Sequence, residues 1–299
     1  MTSFSDLGGW PGVLSELLDR HDLPGDRARA AMSEILAGNA TPAQIAAFVV
    51  ALRAKAVLAH RNAGAGVPVC KHGNRASSSK CGSADVLAAL GVSIEAEPAV
   101  VARCVERAGI GFCLATKYHP AFRHAGPPRR EIGVPTVFNL LGPMANPARV
   151  SRQVIGVANP TVAERMIATL QAHGSTKAWV VHGNGLDELT TTGESEVIAL
   201  ENGAVRRFRV DPAALGLARA TADQLTGGEP AENAAAARRI LAGDRGPHRD
   251  IIVLNAAAAL VVADAAADLA EGIARAGESI DSGAAAASLE ALVRESNAH

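Results

Sequence analysis

From Val67 onward the chain alternates short apolar segments with alanine-rich stretches of helical spacing, and this alternation restricts the fold more than any other feature. The strand candidates are Val154–Ala158, Ala178–Val181, Glu196–Leu200, Ala204–Val210 and Ile251–Leu254, with Val67-Pro68-Val69-Cys70 leading into the first turn. Strands separated by helices predict an α/β domain built on a mostly parallel sheet flanked by helices. Glu201-Asn202-Gly203 reads as a hairpin turn between two of the strands, so one sheet edge is predicted to be antiparallel. The alanine-rich Ala256–Ala274 keeps Leu260, Val261, Leu269 and Ile273 and is predicted to be packed helix.

The first sixty residues differ in kind. They predict helices only: Val13–Asp19, then Asp26–Ala37 stopped by Gly38-Asn39, then a helix opened by Thr41-Pro42-Ala43-Gln44 and carrying Ile45, Phe48, Val49 and Leu52 on one face. A length of 299 residues exceeds a typical single core. The predicted organisation is a helical domain over 1–62, joined by helices near 118–134, and an α/β domain over 63–299.

A net charge of −1, with 20% charged residues, points away from nucleic-acid and membrane surfaces and toward small-molecule chemistry. The apolar tracts Ile251–Val262 and Val49–Leu58 are too short or too interrupted by charge to span a bilayer, and Met1-Thr2-Ser3-Phe4 does not start a signal peptide, so a cytoplasmic protein is expected. Cys70, Cys81, Cys104 and Cys113 have no zinc-type spacing and are expected to be reduced and mostly buried.

Three segments can carry chemistry. Lys71-His72-Gly73-Asn74-Arg75 through Asp85 packs cations, hydroxyls and glycines between a strand and a helix, which suits an anion site; the plainer alternative is a glycine turn with solvated charges. Gly183-Asn184-Gly185-Leu186-Asp187-Glu188-Leu189 follows an apolar strand, at the sheet end where open α/β folds bind ligands. Asp187 and Glu188 suit Mg²⁺, or form an exposed acidic loop. The third runs from Tyr118-His119-Pro120 to Arg129-Arg130-Glu131 and Phe138-Asn139-Leu140-Leu141-Gly142-Pro143. Arg129 or Arg130 can fork onto a carboxylate or pair with Glu131, and His119 and His124 are by default structural.

With Ser78-Ser79-Lys80, Gly82-Ser83-Ala84-Asp85 and Asn146-Pro147 added, these residues resemble the anthranilate phosphoribosyltransferases of tryptophan biosynthesis, within the nucleoside-phosphorylase-like phosphoribosyltransferase fold. The resemblance covers nearly the whole chain. It implies a helical domain that forms homodimers and transfer of phosphoribose from phosphoribosyl pyrophosphate to the amine of anthranilate, with release of pyrophosphate. It implies that Lys71, Ser78 and Ser79 contact the donor's phosphates and that Asp187 and Glu188 hold Mg²⁺. His72, Asn74, His119 and Arg129 would line the anthranilate tunnel, Arg129 as the carboxylate clamp. The amine is a neutral nucleophile at pH 7, so positioning matters more than a general base, and none is assigned.

The chain departs from the family pattern at two places. Thr116 stands where such enzymes often have proline, and the family's Gly-Thr-Gly-Gly-Asp loop and Asn-x-Ser-Thr helix start have no counterpart between Leu58 and Val67. Thr226-Gly227-Gly228-Glu229 is read as a cap for Ala231–Leu241 rather than a relocated loop. Two other readings follow: a catalytically silent anthranilate-binding, dimerising paralogue, and a pyrimidine nucleoside phosphorylase.

Overall fold

The computed structural model describes residues 4, 8–18, 24–41, 44–45, 65–75, 81–119, 146–148 and 150–298. Helices α1 (Gly9–Leu18) and α2 (Gly25–Ala37) pack together at the N-terminal end, and Gly38 stops α2 in a left-handed conformation at φ 80°. Just beyond, the Thr41 backbone N–H donates to Gln44 Oε1 at 2.9 Å and the Gln44 N–H donates to Thr41 Oγ1 at 3.2 Å. That reciprocal pair is the capping box expected of Thr41-Pro42-Ala43-Gln44.

Two sheets follow among the described residues. In the first, β1 (Val69–Gly73) pairs in parallel with β2 (Ile110–Leu114). Between them run α3 (Ser83–Ala89) and α4 (Pro98–Ala108), so this is a right-sized crossover unit. In the second, β3 (Arg152–Gly156), β4 (Lys177–Gly183), β5 (Ser195–Glu201) and β6 (Ala204–Val210) lie in that order. Helix α6 (Ala163–Ala172), numbered after the short α5 (Ala115–Tyr118), carries the parallel crossover from β3 to β4. The β5–β6 pair is antiparallel, as the Glu201-Asn202-Gly203 signal required, and β4–β5 is antiparallel too, so this four-stranded sheet has one parallel pair rather than being mostly parallel. Asn202 and Gly203 take positive φ values of 49° and 79°, the backbone of a two-residue turn that matches strand twist.

Burial on both faces explains the apolar character of β4. Ala178 and Val180 join Ile155, Met166, Ile167 and Leu170 under α6. Trp179 and Val181 face the opposite way, onto Val253, Leu254 and Ala258 of α8 (Pro247–Val262). Each such large side chain contributes about 1.5–3 kcal/mol by leaving water. Helix α7 (Pro230–Leu241) precedes α8, and α9 (Leu269–Asp281) and α10 (Ala284–Asn297) close the chain.

Ile251–Leu254 is therefore corrected from strand to helix. Pro247 at the first helical position and the alanines after Leu254 extend a 16-residue helix through the β-branched run. Ala256–Ala274 is helical at both ends but broken between α8 and α9, where Asp264 takes φ 58°. At the start of α7 the Glu229 N–H donates to Glu232 Oε2 at 2.8 Å, so Thr226–Glu229 leads into this helix as read. The segment Ile45–Leu58 lies outside the described residues beyond Ile45.

Candidate functional site

The carboxyl end of β4 turns back at once. Gly183 N–H donates to the Leu186 carbonyl at 3.0 Å and Leu186 N–H returns to the Gly183 carbonyl at 2.9 Å, with Asn184 at φ 49° and Gly185 at φ 90°. Asn-Gly is the pair that tolerates two successive positive φ values, which is why the sequence turns here. His182 secures the turn: its Nδ1 lies 2.8 Å from the Val157 carbonyl, so it donates there, leaving Nε2 to accept the Gly185 N–H at 3.4 Å.

Asp187 and Glu188 leave this turn folded against the strand ends. A Cβ added to Gly156 would lie 1.4 Å from the Asp187 carbonyl oxygen, and one added to Gly183 would lie 2.2 Å from that of Glu188. Only glycine at both positions lets the loop come this close. Past Glu188, the fully buried Leu189 is bound through its backbone to Asn255 of α8.

Both carboxylates are half-buried, so the exposed acidic loop is not what forms. Burial raises the Asp187 carboxyl above its ordinary value against the pull of the Lys71 charge, and burial together with the Asp187 charge pushes Glu188 up to about 7. Lys71 is only 5% exposed, at the centre of β1 opposite Phe112 of β2. A buried ammonium whose charge acts on Asp187 thus accompanies two desolvated carboxylates at the carboxyl end of β4. An apolar cavity of about 250 Å³, walled by Leu87, Ile110, Ile240 and Val253, reaches Glu188 and Asn255.

On the other side of β1, His72 stands beside Cys113 in the ladder and meets the His119 ring edge to face, with centroids 5.0 Å apart. The Asn146 amide donates to the Cys70 carbonyl at 3.0 Å, fixing Asn146-Pro147 to this strand. Cys70 and Cys113 Sγ are 3.5 Å apart; this contact, then burial, raises the Cys70 thiol, and the same contact lowers that of Cys113 against the effect of burial. None of the four cysteines is in a disulfide; Cys104 and Cys113 are buried and the other two half-buried. Asn74 is exposed past the end of β1, where its Oδ1 accepts the Arg75 N–H. Arg75 takes the solvated role, pairing with Asp85 at 3.3 Å and Glu95 at 3.7 Å.

The Lys71 charge therefore acts on Asp187, the neighbour of Glu188, and the His72 ring meets that of His119. Ser78, Ser79 and Arg129 lie outside the described residues. Sequence reading missed Gly156, His182 and Asn255 as supports of the acidic loop. Asn255 had a signal, being the one polar residue between Ile251 and Val262. No helix among the described residues is long and apolar enough to cross a membrane.

The chain matches the family model "Glycosyl transferase family, a/b domain" over residues 55–286 and "Glycosyl transferase family, helical bundle domain" over residues 11–65. It is 46% identical to the anthranilate phosphoribosyltransferase of Methylobacterium nodulans, over 92% of this chain and 95% of that one. The identity is 47% with the enzyme of the same name from a Roseiflexus species, over 93% and 95%. Both comparisons, at 321 and 325 residues, run longer than the 299 of this chain, so these relatives carry internal residues with no counterpart here. Among solved structures, anthranilate phosphoribosyltransferase from Thermus thermophilus superposes with a TM-score of 0.85 at 37% identity, over 96% of this chain and 99% of that one. The Saccharomyces cerevisiae enzyme, solved in complex with phosphoribosyl pyrophosphate and Mg, gives 0.71 at 25% identity, over 99% and 93%. With an α/β domain, a helical N-terminal part and this degree of identity along nearly its whole length, the chain belongs to the anthranilate phosphoribosyltransferase family of glycosyl transferases.

Proposed function

We propose that the chain transfers phosphoribose from phosphoribosyl pyrophosphate to the amine of anthranilate and releases pyrophosphate. The observation that carries this reading is the half-buried Asp187–Glu188 pair folded against the carboxyl end of β4, with the Lys71 charge acting on Asp187, in a chain nearly half identical to enzymes of that name.

Asp187 and Glu188 would hold Mg²⁺, for which adjacent, poorly solvated carboxylates are a fitting donor set. Bound there, Mg²⁺ supplies charge neutralisation for the pyrophosphate. Lys71 adds a fixed positive charge that needs no reorganisation, because β1 and β2 already hold it in a water-poor setting. Ser78 and Ser79 are assigned to the donor's phosphates, and Asn74 and Arg129 to the anthranilate side, by the family pattern of the sequence. His72 and His119 supply an aromatic wall against which a planar acid can stack. The nucleophile is a neutral amine, so these groups orient it and no base is required. The same reading includes Mg²⁺ dependence, a cytoplasmic setting and a homodimer through the helical N-terminal part, in keeping with the helical-bundle match over residues 11–65.

The extra internal residues of the relatives favour a second reading, a silent paralogue that binds anthranilate without turning it over. Incubation with anthranilate, phosphoribosyl pyrophosphate and Mg²⁺ separates the two. Loss of anthranilate fluorescence, abolished in Asp187→Asn, supports the transferase. Calorimetric binding of anthranilate, with no fluorescence loss and no effect of the donor, supports the paralogue. Phosphorolysis of thymidine would instead favour a nucleoside phosphorylase.

A further inference from the structure

Asn255 makes three hydrogen bonds that use its whole amide. Oδ1 accepts the Leu189 N–H at 2.9 Å; Nδ2 donates to the Leu189 carbonyl at 2.7 Å and to the Ile251 carbonyl, one turn back in α8, at 2.9 Å. The bond within α8 fixes which end of the amide is the donor, so the remaining face reads as a template for one extended residue. No other side chain of similar size fits. Aspartate would set an oxygen against the Leu189 carbonyl, and leucine would strand two polar groups of a residue that is 0% exposed.

Leu189 is the residue after Glu188, so what Asn255 holds is the exit of the acidic loop. Its entry is held by the Asn184-Gly185 turn and by the His182 bridge from Val157 to Gly185. Gly156 and Gly183 leave no slack beneath the two carbonyls. The turn, the two glycines and His182 all lie on the β3 and β4 side. Asn255 is the tie to α8, and it lines the same cavity as Glu188. Beyond that tie the Thr190 N–H is held by Ser195 Oγ at 2.9 Å, so Asn255 is the α8-side hold on the residue next to Glu188.

We propose that Asn255 is the positioning residue of the Asp187–Glu188 pair: it sets the two carboxylates for a divalent cation without touching the cation. This rests on the metal reading given above. Its effect is on cation affinity, and a residue that merely stabilised the fold would leave that affinity unchanged once the protein is folded.

The test is Mn²⁺ binding to the full chain, with and without inorganic pyrophosphate, followed by water-proton relaxation at a temperature below each variant's melting midpoint. Native protein binds the ion, and Asp187→Asn and Glu188→Gln lose it. Asn255→Ala and the isosteric Asn255→Asp bind at least tenfold more weakly, with the KM for the metal–donor complex raised in proportion and kcat within about threefold of native. If Asn255→Ala does not fold, Asn255→Asp alone decides. No Mn²⁺ binding by native protein, or native affinity in Asp187→Asn and Glu188→Gln, overturns the metal reading and the proposal with it. Affinity lost in those two variants but kept within twofold in folded Asn255 variants overturns the positioning role alone.

Discussion

Gly156 and Asp187 are in contact with no room to spare: a single Cβ on Gly156 would fall 1.4 Å from the Asp187 carbonyl oxygen. The last residue of β3 thus sets the height at which the acidic loop crosses the sheet end. Gly156→Ala must displace either the strand or the loop, and displacement of the exposed turn costs less than disruption of a buried strand. The expected result is a folded protein, destabilised by about 1–3 kcal/mol. Its cation affinity and transferase rate fall together by tenfold or more. Thermal melts and Mn²⁺ titration on the same sample check both halves.

Glu188 gives a pH dependence with a definite sign. Its carboxyl rises from 4.5 to about 7 on folding. Between those values the folded chain keeps a proton that the unfolded chain has released, so metal-free protein loses stability as pH rises from 4.5 toward 7. Glu188→Gln removes the ionisation. In chelator, that variant melts higher than native above pH 7, by roughly 3–8 °C, and the difference vanishes below pH 4.5. Added Mg²⁺ recovers the native protein and not the variant.

Lys71 is assigned charge neutralisation, which a neutral isostere cannot supply. Lys71→Met is expected to lower kcat/KM for the phosphoribosyl donor by about 10²–10³. Asp187 also loses the only lowering charge among the causes of its shift, so its carboxyl rises further. Steady-state kinetics across pH read both: the donor KM increases and the acid limb of the profile moves to higher pH.

A second pH effect is remote from the site. Arg249 of α8 grips Asp281 at the end of α9 with two bonds, 2.7 and 2.8 Å, and this holds the Asp281 carboxyl below its usual 3.8. A depressed carboxylate stabilises the fold above the unfolded value, and that contribution is lost as pH falls through the folded one. Asp281→Asn therefore lowers the melting temperature at pH 7, and the gap to native closes below pH 3.8. Transferase activity at pH 7 stays native, because neither residue reaches the strand ends.

What was legible in the sequence was local. Thr41 and Gln44 announce a capping box, and Asn202-Gly203 a turn, because a few neighbouring atoms decide each of them. Ala204–Val210 was read with the bounds it has in the structure. Ile251–Leu254 misled because α8 lies between the sheet and α9 and is apolar nearly all round, which erases the helical period. Ile110–Leu114 was missed as a strand: five buried residues beside Gly109 are too few to show alternation. Asp187 and Glu188 were legible as a motif, but their burial was not. It comes from Gly156 and Asn255, which reach the loop from 31 and 66 residues away, across space rather than along the chain.

The most direct measurement is product analysis with enzyme stoichiometric to substrate. Native protein, anthranilate, phosphoribosyl pyrophosphate and Mg²⁺ are mixed, then resolved by mass spectrometry alongside a pyrophosphate assay. The account predicts phosphoribosylated anthranilate and pyrophosphate in equal amounts, both absent without Mg²⁺ and in Asp187→Asn. Intact anthranilate with no pyrophosphate released, from folded protein at that concentration, would contradict it.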